Sequence, residues 1–140
     1  MAAGLDRIVV VGGGIAGVST VRALRSGGFT GELTLIDGGK FPYDRPPLSK
    51  DYLAGTKDLK QIALQSSEFY DDNAIRLRPL TTVSALRVAE GGVELADGTV
   101  IPADRVVLAT GGHAARPPIP GTDSSRVHVL RTSGDADRLR

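Results

Sequence analysis

The sequence predicts an α/β fold: a parallel sheet flanked by helices, with an antiparallel β-meander inserted before the last strand. Three observations carry this. Arg7-Ile8-Val9-Val10-Val11 is an uninterrupted β-branched run that stops at three glycines. A helix-period segment and a second apolar run follow it within about 30 residues, the size of a βαβ unit. Two alternating segments around Asp97-Gly98 then precede another apolar run, Arg105 to Ala109.

The elements follow in chain order. The first run lacks alternation, as expected of a strand buried on both faces. From Ile15 to Ser26, Ile15, Val18, Val21 and Leu24 step at helical spacing, and Gly27-Gly28 ends the helix. Leu33 to Ile36 is the second strand. Gly38 to Pro47 is a loop rich in Gly and Pro, and Leu48 to Leu53 is expected to make one or two helical turns. Ser66 caps a helix running to about Asn73. Arg76 to Leu80 is a weaker strand. Thr81 to Val88 and Val93 to Ile101 alternate apolar and polar residues around Gly91-Gly92 and Asp97-Gly98, and Asp-Gly between such runs is a hairpin signal. Arg105 to Ala109 is a buried-type strand cut off by Thr110-Gly111-Gly112. After a proline-rich loop, Val127 to Leu130 reads as a short strand and Ser133 to Arg140 as a helix.

Composition narrows the chemistry. The 140 residues are 41% hydrophobic and 24% charged, a globular balance for one domain with a real core. The net charge of +1 gives no global field for nucleic acid. No cysteine is present, so this chain contains no disulfide, thiolate metal site or thiol nucleophile. The two histidines lack the spacing of a metal pair, and no metal site is expected. His113 reads as a loop residue and His128 as the exposed side of a short strand. No apolar run approaches the ~20 residues of a membrane span. Met1 to Arg7 shows no leader, so a cytoplasmic protein without membrane contact is expected.

The strongest chemical signal is Gly12-x-Gly14-x-x-Gly17, directly after a strand and opening a helix. Gly12 permits the tight turn, Gly14 lets a pyrophosphate approach the main chain, and Gly17 lets the helix pack on the sheet. The helix N-terminus offers free N–H groups and a positive dipole end to phosphates. Asp37 follows Gly17 by 20 positions, where a carboxylate accepts from ribose hydroxyls. The fingerprint alone leaves open whether the nucleotide is FAD or NAD. Val107 to Gly111 brings a strand end beside such a site, although an ordinary strand exit explains it equally well. Lys50 closes Tyr43-Asp44-Arg45-Pro46-Pro47-Leu48-Ser49-Lys50, and as a lone residue reads more readily as solvated than as a ring contact. Tyr43 is evenly balanced between loop packing and cofactor stacking.

Taken together, Ile8 to Gly17, Tyr43 to Tyr52, Val106 to Gly111 and Arg116-Pro117-Pro118-Ile119-Pro120-Gly121 resemble the N-terminal region of FAD-dependent, NADH-oxidising ferredoxin reductases. These include the rubredoxin, putidaredoxin and dioxygenase-system reductases of the pyridine nucleotide-disulfide oxidoreductase superfamily. The resemblance covers nearly the whole chain. It implies a Rossmann-like FAD-binding domain over residues 1–140, the N-terminal part of a longer reductase whose NAD-binding and C-terminal interface domains are absent here. It implies that Gly12, Gly14, Ile15, Ala16 and Gly17 hold the pyrophosphate region and that Asp37 binds the adenosine ribose. Lys50 becomes the catalytic candidate beside the flavin. Val83 meets adenine through its backbone, and Arg45, Ala109, Thr110, Gly111 and Arg131 line the cofactor. Family members commonly carry a glycine and then one or two acids after the second strand. This chain has Asp37-Gly38-Gly39 instead.

The implied reaction takes hydride from NADH or NADPH onto FAD and passes single electrons to a ferredoxin or rubredoxin-type iron–sulfur protein. The nicotinamide site is expected only in a full-length protein, and the 140-residue chain alone is expected to be inactive. Thiol-active relatives carry a redox cysteine pair after the second strand, and Gly38 to Lys50 contains no sulfur. Two other readings stand beside this one: a non-catalytic nucleotide-binding module that has lost its partner domains, and a reductase serving another acceptor, as in nitrite reductase.

Overall fold

A computed structural model describes residues 4–140, and the first three residues of the N-terminal reading from Met1 to Arg7 lie outside them. Strands β1 (Arg7–Val11), β2 (Glu32–Ile36), β3 (Ile75–Arg78) and β7 (Arg105–Leu108) form a parallel sheet in the order β3-β2-β1-β7. Strands β4 (Val83–Arg87), β5 (Gly92–Leu95) and β6 (Val100–Pro102) form a separate antiparallel sheet. Helices α1 (Ile15–Ser26), α2 (Ser67–Asp72) and α3 (Ser133–Leu139) complete the elements, with a 3-10 turn over Pro46–Ser49.

The unbroken apolar run of β1 is explained by its two covered faces. Successive side chains of a strand point to opposite sides. Ile8 and Val10 meet Leu33, Leu35 and Ile75, and are capped by Val18 and Val21 of α1 and Tyr70 of α2. Val9 and Val11, with Ile36, pack on Val93, Leu95 and Ala103. The meander is therefore the third layer, covering the face that a helix covers in plainer parallel folds. Each such valine or leucine contributes about 1.5–3 kcal/mol of transfer free energy. A third cluster, Leu48, Tyr52, Ile62 and Ala136, joins the 42–62 segment to α3.

At the bottom of the sheet, Asp104 closes the fold. Its Oδ2 accepts from the main-chain amides of Asp6 (3.0 Å) and Arg7 (2.8 Å), and its Oδ1 pairs with the Arg7 guanidinium at 3.0 Å. These bonds hold the Asp104 carboxyl below the usual carboxylate range, the Arg7 side-chain bond first among them.

Several elements differ from the sequence reading: β2 begins one residue earlier than read, at Glu32, and β7 ends one residue earlier, at Leu108. The strand expected over Arg76 to Leu80 is Ile75–Arg78. Pro79 has no donor for a ladder, and Leu80 turns to φ 50° and donates its amide to Gly39 O at 2.8 Å. The helical turns expected from Leu48 begin earlier, at Pro46, because proline suits a first helical turn. Val127 to Leu130 is not a strand. No described strand pairs with it, and strand amides need a partner. His128 is accordingly an exposed residue of an irregular segment rather than of a strand. The helix expected to reach Arg140 ends at Leu139.

Candidate functional site

The C-terminal ends of β1, β2 and β7 converge on one groove. Gly12 ends β1 with φ 114°, and a Cβ there would lie 2.1 Å from the Ala109 carbonyl oxygen. Only glycine lets the chain turn this close to β7. A Cβ on Gly17 would lie 1.7 Å from the Gly12 oxygen, so the first turn of α1 presses directly on the loop. Gly14 is different in kind. Its Cβ position meets nothing within 4 Å and faces the groove. Gly14 is the N-cap of α1. No side chain caps this helix, and its first turn has no acidic residue. The positive end of a 12-residue helix is thus presented to open space beside bare main chain.

The groove has a volume of about 660 Å³. Its floor is the glycine loop with Ile15 and Ala16, and one wall is Ala109, Thr110 and Gly111 at the exit of β7. Asp37, at the end of β2, together with Asp44, Arg45 and Arg131, supplies its charges. An adjoining cavity of about 380 Å³ shares Gly13, Gly14, Asp37, Tyr43 and Arg45 and extends to Thr132 and Ser133. The Asp37 carboxylate lies against Gly13, where any Cβ would meet its Cγ at 2.5 Å. Beneath it, the hydroxyl of Tyr70 is buried with no hydrogen-bond partner among the described residues. Burial, and then the negative charge of Asp37, push this phenol up to about 12.

The far wall is tied together by side chains. Tyr43 Oη accepts from the Ser133 amide at 3.0 Å, and Tyr52 Oη donates to Asp137 Oδ1 at 2.9 Å. Arg45 Nη1 donates to the Arg131 carbonyl. Arg131 Nε donates to Gly112 O at 3.1 Å, so this side chain ties the segment just before α3 to the exit of β7.

Ten of the sequence-predicted residues line this groove: Gly12, Gly14, Ile15, Ala16, Asp37, Arg45, Ala109, Thr110, Gly111 and Arg131. Gly17 lies behind it as a packing residue. Lys50 is exposed at the end of the 3-10 turn, and Val83 is half-buried at the start of β4; neither lines the groove or the adjoining cavity. His113 is exposed in the loop after β7. Sequence reasoning missed Gly13, Leu108 and Ser133. Leu108 is 58% exposed although it ends an apolar strand, and Ile15 is 64% exposed although it starts an apolar helix face. Both face the groove. The Thr132-x-x-Asp135 spacing is a capping-box signature that marks where α3 begins, and so where Ser133 falls.

An anionic dinucleotide fits this arrangement: an elongated groove, a helix dipole with no competing acid, a glycine whose missing side chain leaves room, a carboxylate one strand away and two guanidinium groups opposite. The fold and this corner define a dinucleotide-binding α/β domain of the Rossmann type. The chain belongs to the pyridine nucleotide-disulphide oxidoreductase family, whose sequence model matches residues 6–140. It is 41% identical over 133 residues to rhodocoxin reductase of Rhodococcus erythropolis, covering 94% of this chain and 31% of that protein. It is 40% identical over 136 residues to a probable ferredoxin reductase of Castellaniella defragrans, covering 96% and 33%. Among solved structures, the covalent putidaredoxin reductase–putidaredoxin complex matches with a TM-score of 0.84 at 35% identity, over 94% of this chain and 33% of that one. The chain therefore spans about a third of the length of these relatives. No helix among the described residues is long and apolar enough to cross a membrane.

Proposed function

We propose that this chain is the FAD-binding domain of an NAD(P)H-dependent reductase that delivers electrons to a ferredoxin- or rubredoxin-type iron–sulfur protein. The observation that carries it is the open Gly14 position, set between the uncapped N-terminus of α1 and Asp37. In this reading residues 1–140 are the FAD domain, and the nicotinamide-binding and acceptor-facing domains of the whole reductase are separate from it. The names of the relatives support the acceptor class, and the solved complex joins one such reductase to its putidaredoxin. The whole reductase works in the cytoplasm, where reduced nicotinamide is supplied.

Bound FAD supplies the two-electron acceptor for hydride and the one-electron donor for an iron–sulfur partner. The chain's own groups do the rest. The amides of Gly14, Ile15 and Ala16 hold the pyrophosphate through the helix dipole. Asp37 would accept from the adenosine ribose, and the Val83 main chain, outside the groove, is the segment proposed to meet adenine. Arg45 and Arg131 balance phosphate charge, while Ala109, Thr110 and Gly111 exclude water along one wall. Lys50, whose exposed side chain has no hydrogen-bond or ion-pair partner among the described residues, is the residue proposed to donate to the flavin ring.

The visible absorption spectrum of protein reconstituted with FAD and freed of excess by gel filtration tests this. Stoichiometric bound flavin is the expected result. Colourless protein that ADP stabilises but FAD does not would favour a nucleotide-binding module without redox chemistry.

A further inference from the structure

We propose that Asp135 is a positioning residue for the groove: it holds Arg131, and through Arg131 the cationic wall that meets the nucleotide. The inference rests on the nucleotide-binding reading of the groove.

Asp135 is 6% exposed and, with Thr34, is one of two buried polar residues among those described. A capping box requires the third helical residue to accept from the N-cap amide, and Asp135 Oδ2 does so from Thr132 at 2.8 Å. The same oxygen also accepts from the Arg131 amide at 2.9 Å. That second bond lies outside the helix and is not needed to cap it. It falls on the one residue of this segment whose side chain crosses to Gly112. On the opposite side of Arg131, Arg45 donates to its carbonyl.

The residue is therefore clamped at both main-chain groups by side chains from two separate segments, and its guanidinium is fixed by the β7 exit. The other Asp135 oxygen pairs with Arg138, which keeps the carboxylate charged and aimed. Its bonds to the Arg131 and Thr132 amides hold the carboxyl below the usual carboxylate range. An arginine left free loses rotamer entropy when it binds an anion; one fixed beforehand loses little. Asp135 lines neither the groove nor the adjoining cavity, so its effect on binding passes through Arg131.

A double-mutant cycle on FAD affinity, measured by flavin fluorescence with the protein at its native length, tests this. Asp135→Ala is expected to weaken binding about tenfold, the scale of one charge-assisted hydrogen bond. Thr132→Ala removes the other half of the box but leaves the Arg131 bond, and should change affinity less than about threefold. In an Arg131→Gln background the Asp135 effect should vanish, which a purely structural role would not produce. Asp135→Asn, with an oxygen still able to serve both amides, should restore binding.

If Asp135→Ala does not fold, Asp135→Ser, too short to reach Arg131, carries the same expectation. An unchanged affinity in the alanine or serine variant overturns the inference, as does a loss that persists without Arg131. Wild-type protein that takes up no FAD overturns the nucleotide reading itself, and this inference with it.

Discussion

Two glycines three positions apart, one capping α1 and one within its first turn, separate binding from folding. Gly14 faces open groove, so Gly14→Val should leave the thermal midpoint nearly unchanged and abolish FAD binding, because the branched side chain occupies the pyrophosphate's space. Gly17 faces the Gly12 carbonyl, so Gly17→Ala should lower stability by about 1–3 kcal/mol, the usual cost of overpacking. Calorimetry with a flavin titration on each variant separates the two roles, and equal behaviour would refute the distinction. Lys50→Ala, at an exposed side chain, should leave folding intact while weakening flavin affinity or shifting its potential; unchanged values of both would remove Lys50 from the site. The glycine spacing was readable in the sequence because each glycine answers a main-chain constraint. The placement of Leu108 and Ile15 was not, since an apolar residue in an apolar run carries no sign of which end is left open.

At the scale of elements, β1, α1 and β2 were legible because their periodicity has one cause each: two covered faces for the strands, one for the helix. The meander was legible from Asp97-Gly98, which turns at φ 87°. Val127 to Leu130 was misread because a β-branched pair does not reveal whether a partner strand lies within reach. The links between the 42–62 segment and α3 were also hidden, for Tyr43–Ser133 and Tyr52–Asp137 join residues about 85–90 positions apart. Their contribution is testable at α3. Thr132→Ala should cost about 1 kcal/mol through its lost cap, read as a lower denaturation midpoint in urea.

For the whole molecule, acid is the lever on the Asp104 clasp. A carboxyl depressed by native bonds stabilises the fold above its unfolded value, about 3.9. That contribution is lost as pH falls through the lower folded value. Asp104→Asn should therefore reduce stability at neutral pH and flatten its fall below about pH 4, as followed by circular dichroism. A variant with the wild-type acid profile would exclude Asp104 as the clasp. The clasp lies at the opposite end of the sheet from the groove, so the substitution should leave nucleotide affinity in place.

The most direct measurement is a crystal of the protein soaked with FAD. Pyrophosphate oxygens are expected within hydrogen-bonding distance of the main-chain amides between Gly13 and Ala16, with the ribose beside Asp37. Density for the dinucleotide elsewhere, or a glycine corner left bare at saturating ligand, would contradict it.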